Sequence, residues 1–114
     1  MKRIFDMTAI AILAITLLIS CKKDKQENNT EIQIEAGSGH SLILKADNIL
    51  WATGYNFSGQ LGDGTNTNRN SPVKIRENVK AISAGGLHSL ILTTDNTLWA
   101  TGGNLSGQLG DGTN

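Results

Sequence analysis

The sequence predicts an all-β protein built from β-propeller blades, and three observations carry that prediction. The first is an internal repeat with a period of 48 residues: Ala36–Asn66 (AGSGHSLILKADNILWATGYNFSGQLGDGTN) and Ala84–Asn114 (AGGLHSLILTTDNTLWATGGNLSGQLGDGTN) are identical at 24 of 31 positions. A period in this range belongs to solenoids, propellers and arrays, in which each unit buries its apolar surface only against a neighbour. The second is run length: short apolar stretches alternate with Asp-Asn, Gly-rich and Asn-rich breaks, the pattern of strands and turns. The third is composition, with 13 glycines, one proline and 4% aromatic residues, which suits thin strands joined by many tight turns better than long helices.

Taken in order, Met1–Cys21 reads as a processed leader. Lys2 and Arg3 give a basic start, and Met7–Ile19 is an uncharged run rich in Ala, Ile and Leu. A bilayer-spanning helix needs roughly 20 apolar residues, so this shorter run fits the apolar region of a signal peptide. It closes on Leu18, Ile19, Ser20 and Cys21, which resembles the lipobox of bacterial lipoproteins. That resemblance implies a signal peptide over residues 1–20, cleavage before Cys21 and a diacylglyceryl group on its thiol. Cys21 is the sole cysteine, so no disulfide can form within the chain.

Residues 21–30 then form the lipidated cysteine and its tether. Lys22–Thr30 (KKDKQENNT) contains no apolar side chain and cannot bury enough surface to offset the entropy of ordering. Lys22 stands where an Asp would mark retention in the inner membrane, so the outer membrane is the favoured location by analogy with enteric bacteria.

From Glu31 onward the strands begin. Ile32 and Ile34 alternate with polar neighbours, as in a strand covered on one face, whereas Leu42-Ile43-Leu44 is continuous, as in a strand packed on both. Asp47-Asn48, repeated as Asp95-Asn96, reads as a two-residue hairpin turn leading into Ile49–Thr53. A loop rich in Gly, Asn and Ser runs to about Asn70, and Pro72–Ile75 and Val79–Ile82 supply two further strands. Four strands per period, joined by short turns and one longer loop, describe a propeller blade.

The order Ala-Gly, His-Ser, Leu-Ile-Leu, Asp-Asn, Leu-Trp-Ala-Thr-Gly, Asn and Gly-Gln-Leu-Gly-Asp-Gly, present twice, resembles the repeat of the regulator of chromosome condensation (RCC1-like) family. The likeness extends over residues 31–114 and implies seven-bladed propellers with blades of about fifty residues. On that basis the chain holds about one and two-thirds blades and is expected to be an N-terminal fragment of a longer array. Gly59, Gly62 and Gly64 are expected in left-handed or tightly folded backbone, Leu61 in the hollow of its own loop, and Trp51 and Trp99 between blades.

Few residues suggest chemistry. His40 and His88 stand at equivalent positions, and a structural hydrogen bond to a neighbouring strand is the expected use of each. Asp47 and Asp95 are committed to turns and leave the histidines without an acid partner for base catalysis. Asp63–Asn68 is rich in oxygen but departs from the calcium-loop pattern, having Thr at ligand positions and no closing Glu. No catalytic residue, metal or cofactor is expected. Without Lys2, Arg3 and Asp6 the chain carries eight basic against nine acidic residues, which argues against a nucleic-acid partner.

Seven positions differ between the copies: in the first they are Ser38, Gly39, Lys45, Ala46, Ile49, Tyr55 and Phe57. Shared residues build the blade, so a blade-specific surface must draw on these seven. Tyr55 and Phe57, together in a loop, are the candidate partner-binding residues, because aromatic side chains in loops are favoured interface anchors. The expected function is therefore a lipid-anchored, protein-binding scaffold of the bacterial cell envelope. The alternative is an extracytoplasmic hydrolase or lyase whose catalytic residues lie beyond residue 114.

Overall fold

The computed structural model describes residues 1–6 and 31–114; Cys21 and the tether lie outside them. The described residues form two antiparallel four-stranded sheets. The first contains β2 (Gln33–Ala36), β3 (His40–Leu44), β4 (Leu50–Gly54) and β5 (Arg69–Arg76) in simple sequence order. The second contains β6 (Val79–Ala84), β7 (His88–Thr93) and β8 (Thr97–Gly102), with β1 (Lys2–Asp6) on the outer edge of β8. The first sheet is the four-stranded meander expected of one blade, whereas in the second only β6, β7 and β8 are consecutive. Thus the repeat supplies one whole sheet and three strands of another, and β1 takes the place on β8 that β5 takes on β4.

Two local expectations change. The β3–β4 connection is a three-residue loop, because Lys45 N donates to Ile49 O at 3.1 Å and Asn48 N to Lys45 O at 2.9 Å. Asn48 has a positive φ (63°), as does its counterpart Asn96, while Asp47 does not share it. A two-residue type I′ turn needs positive φ at both central residues, so the turn is the three-residue kind, with one left-handed residue closing it. Asp47 Oδ1 instead accepts from Ile49 N at 3.1 Å. The second change is that β5 begins at Arg69, not Pro72, because Gly54 pairs with Arg69 and Thr53 Oγ1 donates to the Arg69 carbonyl at 2.9 Å.

Strand register decides which side chains meet. Leu42 lies opposite Ala52 and Leu44 opposite Leu50, so these four share one face of the first sheet. Ile82 lies opposite Ile91 and Ile91 opposite Trp99, placing those three on one face of the second. The two faces pack together, and with Val79 and Leu61 they form the core. Leu42, Leu50, Leu61, Val79 and Ile91 are wholly buried; each such side chain contributes about 1.5–3 kcal/mol of hydrophobic stabilisation. The core thus lies between blades, which explains why Leu-Ile-Leu runs without alternation: each residue has a sheet face to serve.

Candidate functional site

Strands β3 and β7 begin, and β4 and β8 end, at the same end of the two sheets, and the long loops emerge there. Asn56 organises the loop of the first blade although it is wholly buried. Its Nδ2 donates to Asp63 Oδ1, Thr65 O and Thr67 O, each at 3.0 Å, and its Oδ1 accepts from Leu61 N at 2.9 Å. That last bond fixes the backbone at Leu61, whose side chain joins the core between blades. Gly59, Gly62 and Gly64 all have positive φ, as expected. Asn104 repeats the arrangement, accepting from Leu109 N at 2.9 Å and donating to Thr113 O at 3.0 Å.

The oxygen-rich stretch is satisfied internally. Asp63 Oδ1 accepts from Thr65 N at 2.9 Å and from Thr65 Oγ1 at 2.7 Å, and Oδ2 receives Arg69 Nε at 3.0 Å. Burial raises the Asp63 pKa, but the bonds from Thr65, Arg69 and Asn56 outweigh it and hold the carboxyl below its usual range. A carboxylate engaged in this way braces a loop. In the second blade Lys2 pairs with Asp111 as Arg69 pairs with Asp63. Among the described residues no three His, Cys, Asp or Glu side chains converge as a metal site would require.

His40 meets the neighbouring sheet. Its Nε2 lies 2.8 Å from Ser89 Oγ, which donates to the Gln60 carbonyl at 2.7 Å. A hydroxyl has one hydrogen to give, so His40 is the donor to Ser89. The pair resembles a nucleophile and its base only in distance, because the proton lies on the wrong atom for His40 to activate the serine. Burial, with His88 adding to it, pushes the His40 pKa below the usual imidazole value. Gly37 makes room for the ring, since a Cβ there would strike it and would come within 2.5 Å of the Gly85 carbonyl.

Tyr55 and Phe57 emerge together at the loop end. Their ring centroids are 6.4 Å apart with planes inclined by 25°, and Phe57 is 72% exposed. The structure adds Leu87 and Leu105 on the second blade, Leu105 being 91% exposed. Tyr55 N donates to Gly39 O, and Gly103 N donates to Leu87 O, both at 2.7 Å. These equivalent contacts bring positions 39 and 55 together in the first blade and 87 and 103 in the second. A Cβ on Gly39 would lie 3.1 Å from Tyr55 Cβ, and one on Gly103 would lie 3.3 Å from Leu87 Cβ. One large side chain therefore occupies each pair of positions, from opposite members in the two blades. Sequence reasoning overlooked the leucines, although the opposed Gly-for-large exchanges at 39/87 and 55/103 signalled the pairing.

A cleft of about 280 Å³ lies nearby, bordered by Ser58, Thr65, Asn66, Thr101 and Lys2. Its walls offer hydroxyls and amides and no pair of carboxylates. The chain matches the model described as regulator of chromosome condensation (RCC1) repeat over residues 32–60 and 79–108, and a second model of the same description over residues 47–92. The chain belongs to the RCC1 repeat family. Among RCC1 relatives, the Ultraviolet-B receptor UVR8 of Arabidopsis thaliana is 37% identical over 59 residues, covering 52% of this chain and 13% of the receptor. The crystal structure of human WBSCR16 superposes with a TM-score of 0.66 at 26% identity, covering 81% of this chain and 25% of that one. Yeast RCC1 (Prp20), crystallised with Kap60, gives a TM-score of 0.63 at 29% identity over 78% of this chain and 20% of that one. The chain therefore spans a quarter or less of the length of each of these proteins.

Proposed function

We propose that this RCC1-repeat chain is a lipid-anchored protein of the bacterial cell envelope, on the outer membrane, that holds a protein partner on the loop end of its blades. One observation carries the reading: Tyr55, Phe57, Leu87 and Leu105 are exposed together at one end of both sheets. Exposed aromatic and aliphatic side chains on braced loops are suited to anchor an interface, since little entropy is lost when they are covered. The presence of Kap60 on yeast RCC1 supports protein docking as a use of this repeat.

Topology supports the orientation. Gln33 lies opposite Leu44 and Ala36 opposite Ser41, so the chain enters β2 beside the β3–β4 turn and leaves it at the loop end. A five-residue strand spans about 17 Å, and the anchor on Cys21 would therefore join at the end remote from Tyr55 and Phe57. Lys22–Thr30 reaches about 30 Å when extended. The blades would stand close to the bilayer with the aromatic end directed away from it, and cleavage before Cys21 would take β1, with Lys2, from the edge of β8.

Two measurements test this reading. Incorporation of an alkyne-bearing fatty acid should be lost in Cys21→Ser; labelling that survives the change would refute the anchor. Crosslinking in intact cells, followed by affinity recovery, should yield a protein partner whose capture falls at least tenfold in the double variant Tyr55→Ala, Phe57→Ala, with the unfolding midpoint unchanged. Equal capture by wild type and variant would refute the assignment of this end.

A further inference from the structure

The two ends of the blades differ in charge. At the end where β3 turns into β4, β5 into β6 and β7 into β8, Lys45, Asp47, Glu77, Lys80 and Asp95 lie in or beside the turns and are all exposed. These turns touch one another, since Val79 N donates to Asn48 O at 2.9 Å and Thr94 N to Asn78 O at 2.7 Å. The loop end is built from residues 37–39, 55–68, 85–87 and 103–113, and only Asp63 and Asp111 among them are charged. Neither carboxylate is free. Asp63 is held by Arg69, Thr65 and Asn56, and Asp111 by Thr113 and Asn104 as well as by Lys2 of the leader. The exposed side chains that remain are amides, hydroxyls and the apolar groups of Tyr55, Phe57, Leu87 and Leu105.

This neutrality decides what can cover the loop end. A charged group brought against it loses its water and meets no opposite charge in return, so charged surfaces are turned away. An apolar group covers Leu105, 91% exposed, and Phe57, 72% exposed, and gains by doing so. A sugar would stack on the two aromatic faces but leave Leu87 and Leu105 idle, because they offer neither a flat ring nor a hydrogen bond. A bilayer is apolar as well, yet the chain enters β2 from the opposite end, which sets these loops away from an anchor on Cys21.

We infer that the partner docked at this end presents an uncharged, apolar protein segment, its aliphatic or aromatic side chains seated among Tyr55, Phe57, Leu87 and Leu105. The inference rests on the docking reading above and adds the chemistry of the partner. It has a direct consequence for salt. Screening shortens the reach of charge from about 10 Å at 0.1 M salt to about 3 Å at 1 M, so a contact held by charge weakens over that range and one held by apolar burial persists.

Selection of random dodecapeptides displayed on phage, with the full chain immobilised, tests it. Peptides whose capture is lost on the folded double variant Tyr55→Ala, Phe57→Ala should be rich in Leu, Ile, Val, Phe and Trp and poor in Asp, Glu, Lys and Arg. Their binding should agree within twofold at 0.05 M and 1 M NaCl. Leu105→Lys and Leu105→Glu, placed where the side chain is almost fully exposed and folding is not at stake, should each weaken it at least fivefold. Selected peptides that carry a predominant charge, a tenfold loss of binding with salt, or one Leu105 change that tightens binding while the other weakens it would overturn the inference and leave the docking end in place. Absence of any enriched peptide, peptides held equally by the double variant, or a preference for phosphatidylcholine vesicles or soluble peptidoglycan fragments would overturn the inference and the docking reading together.

Discussion

Replacing Ser89 with alanine removes one oxygen and leaves two buried polar groups without partners. Ser89 is wholly buried and His40 is 3% exposed, so water cannot readily replace the lost contacts. The Gln60 carbonyl loses its 2.7 Å donor, and the His40 Nε2 proton loses the acceptor 2.8 Å away. Each orphaned group costs about 1–3 kcal/mol, so Ser89→Ala should cost about 2–6 kcal/mol. For a domain of this size each kcal/mol lowers the melting temperature by about 4–8 °C, and the expected fall is about 10 °C or more. Thermal and urea unfolding of the full chain, followed by circular dichroism, measure it. Adding His40→Phe to Ser89→Ala removes one of the two orphans, so the double variant should lose less than the two single losses together. A Ser89→Ala loss below about 0.5 kcal/mol, the size of an ordinary surface change, would refute the assignment of Ser89 as a bridge between blades.

Three further expectations concern the same framework. Gly37→Ala should destabilise by about 3 kcal/mol or more through collision with the His40 ring and the Gly85 carbonyl, whereas Gly64→Ala, with open space around it and φ of 79°, should cost only the left-handed penalty of about 1–2 kcal/mol; urea midpoints of the two variants should rank accordingly. His40 has a folded-state pKa lowered from 6.5, so the unfolded chain takes up its proton first: stability should be constant above that pH, fall as the pH drops through 6.5 towards the folded value, and level off below it. Unfolding midpoints from pH 8 to pH 5 should show this slope in wild type and lose it in His40→Phe. Asn56→Ala deprives Leu61 N and the 63–67 loop of their shared partner, which should cost about 2–4 kcal/mol and expose the loop to limited proteolysis, with Asn104→Ala milder because Asn104 is less buried.

Much of the fold was legible because particular side chains have two duties. Leu42-Ile43-Leu44 shows no alternation since both faces of β3 carry apolar side chains, and that was readable from the run itself. The start of β5 was not, because Arg69 and Asn70 sit on an edge strand where backbone pairing to Gly54 imposes no apolar pattern. The β3–β4 turn was placed but mistyped: Asp-Asn suits both loop lengths, and the choice rests on the φ of Asp47. β1 was unreadable for a different reason. Its composition is that of a leader, and its pairing depends on the edge of β8, more than ninety residues away in sequence.

At the candidate site, Tyr55 and Phe57 were found by comparing copies, and the expected hydrogen bond from His40 to a neighbouring strand is present. Leu87 and Leu105 were missed because leucine in a β protein reads as core unless its neighbours are known. Asn56 and Gln60 were missed for the opposite reason, as polar loop residues carry no sequence mark of burial. Both are wholly buried here.

The exchange of large residue and glycine between positions 39/55 and 87/103 bears on how such a surface can diverge. Because the two positions share one space, they behave as a single two-state letter: Gly with Tyr in one blade, Leu with Gly in the other. Changing one member alone crowds or empties that space, whereas changing both rewrites the end of the blade while leaving strands, turns and the contact between blades intact. An array of near-identical units can acquire a distinct outline in this way, one paired substitution per unit, without renegotiating its folding.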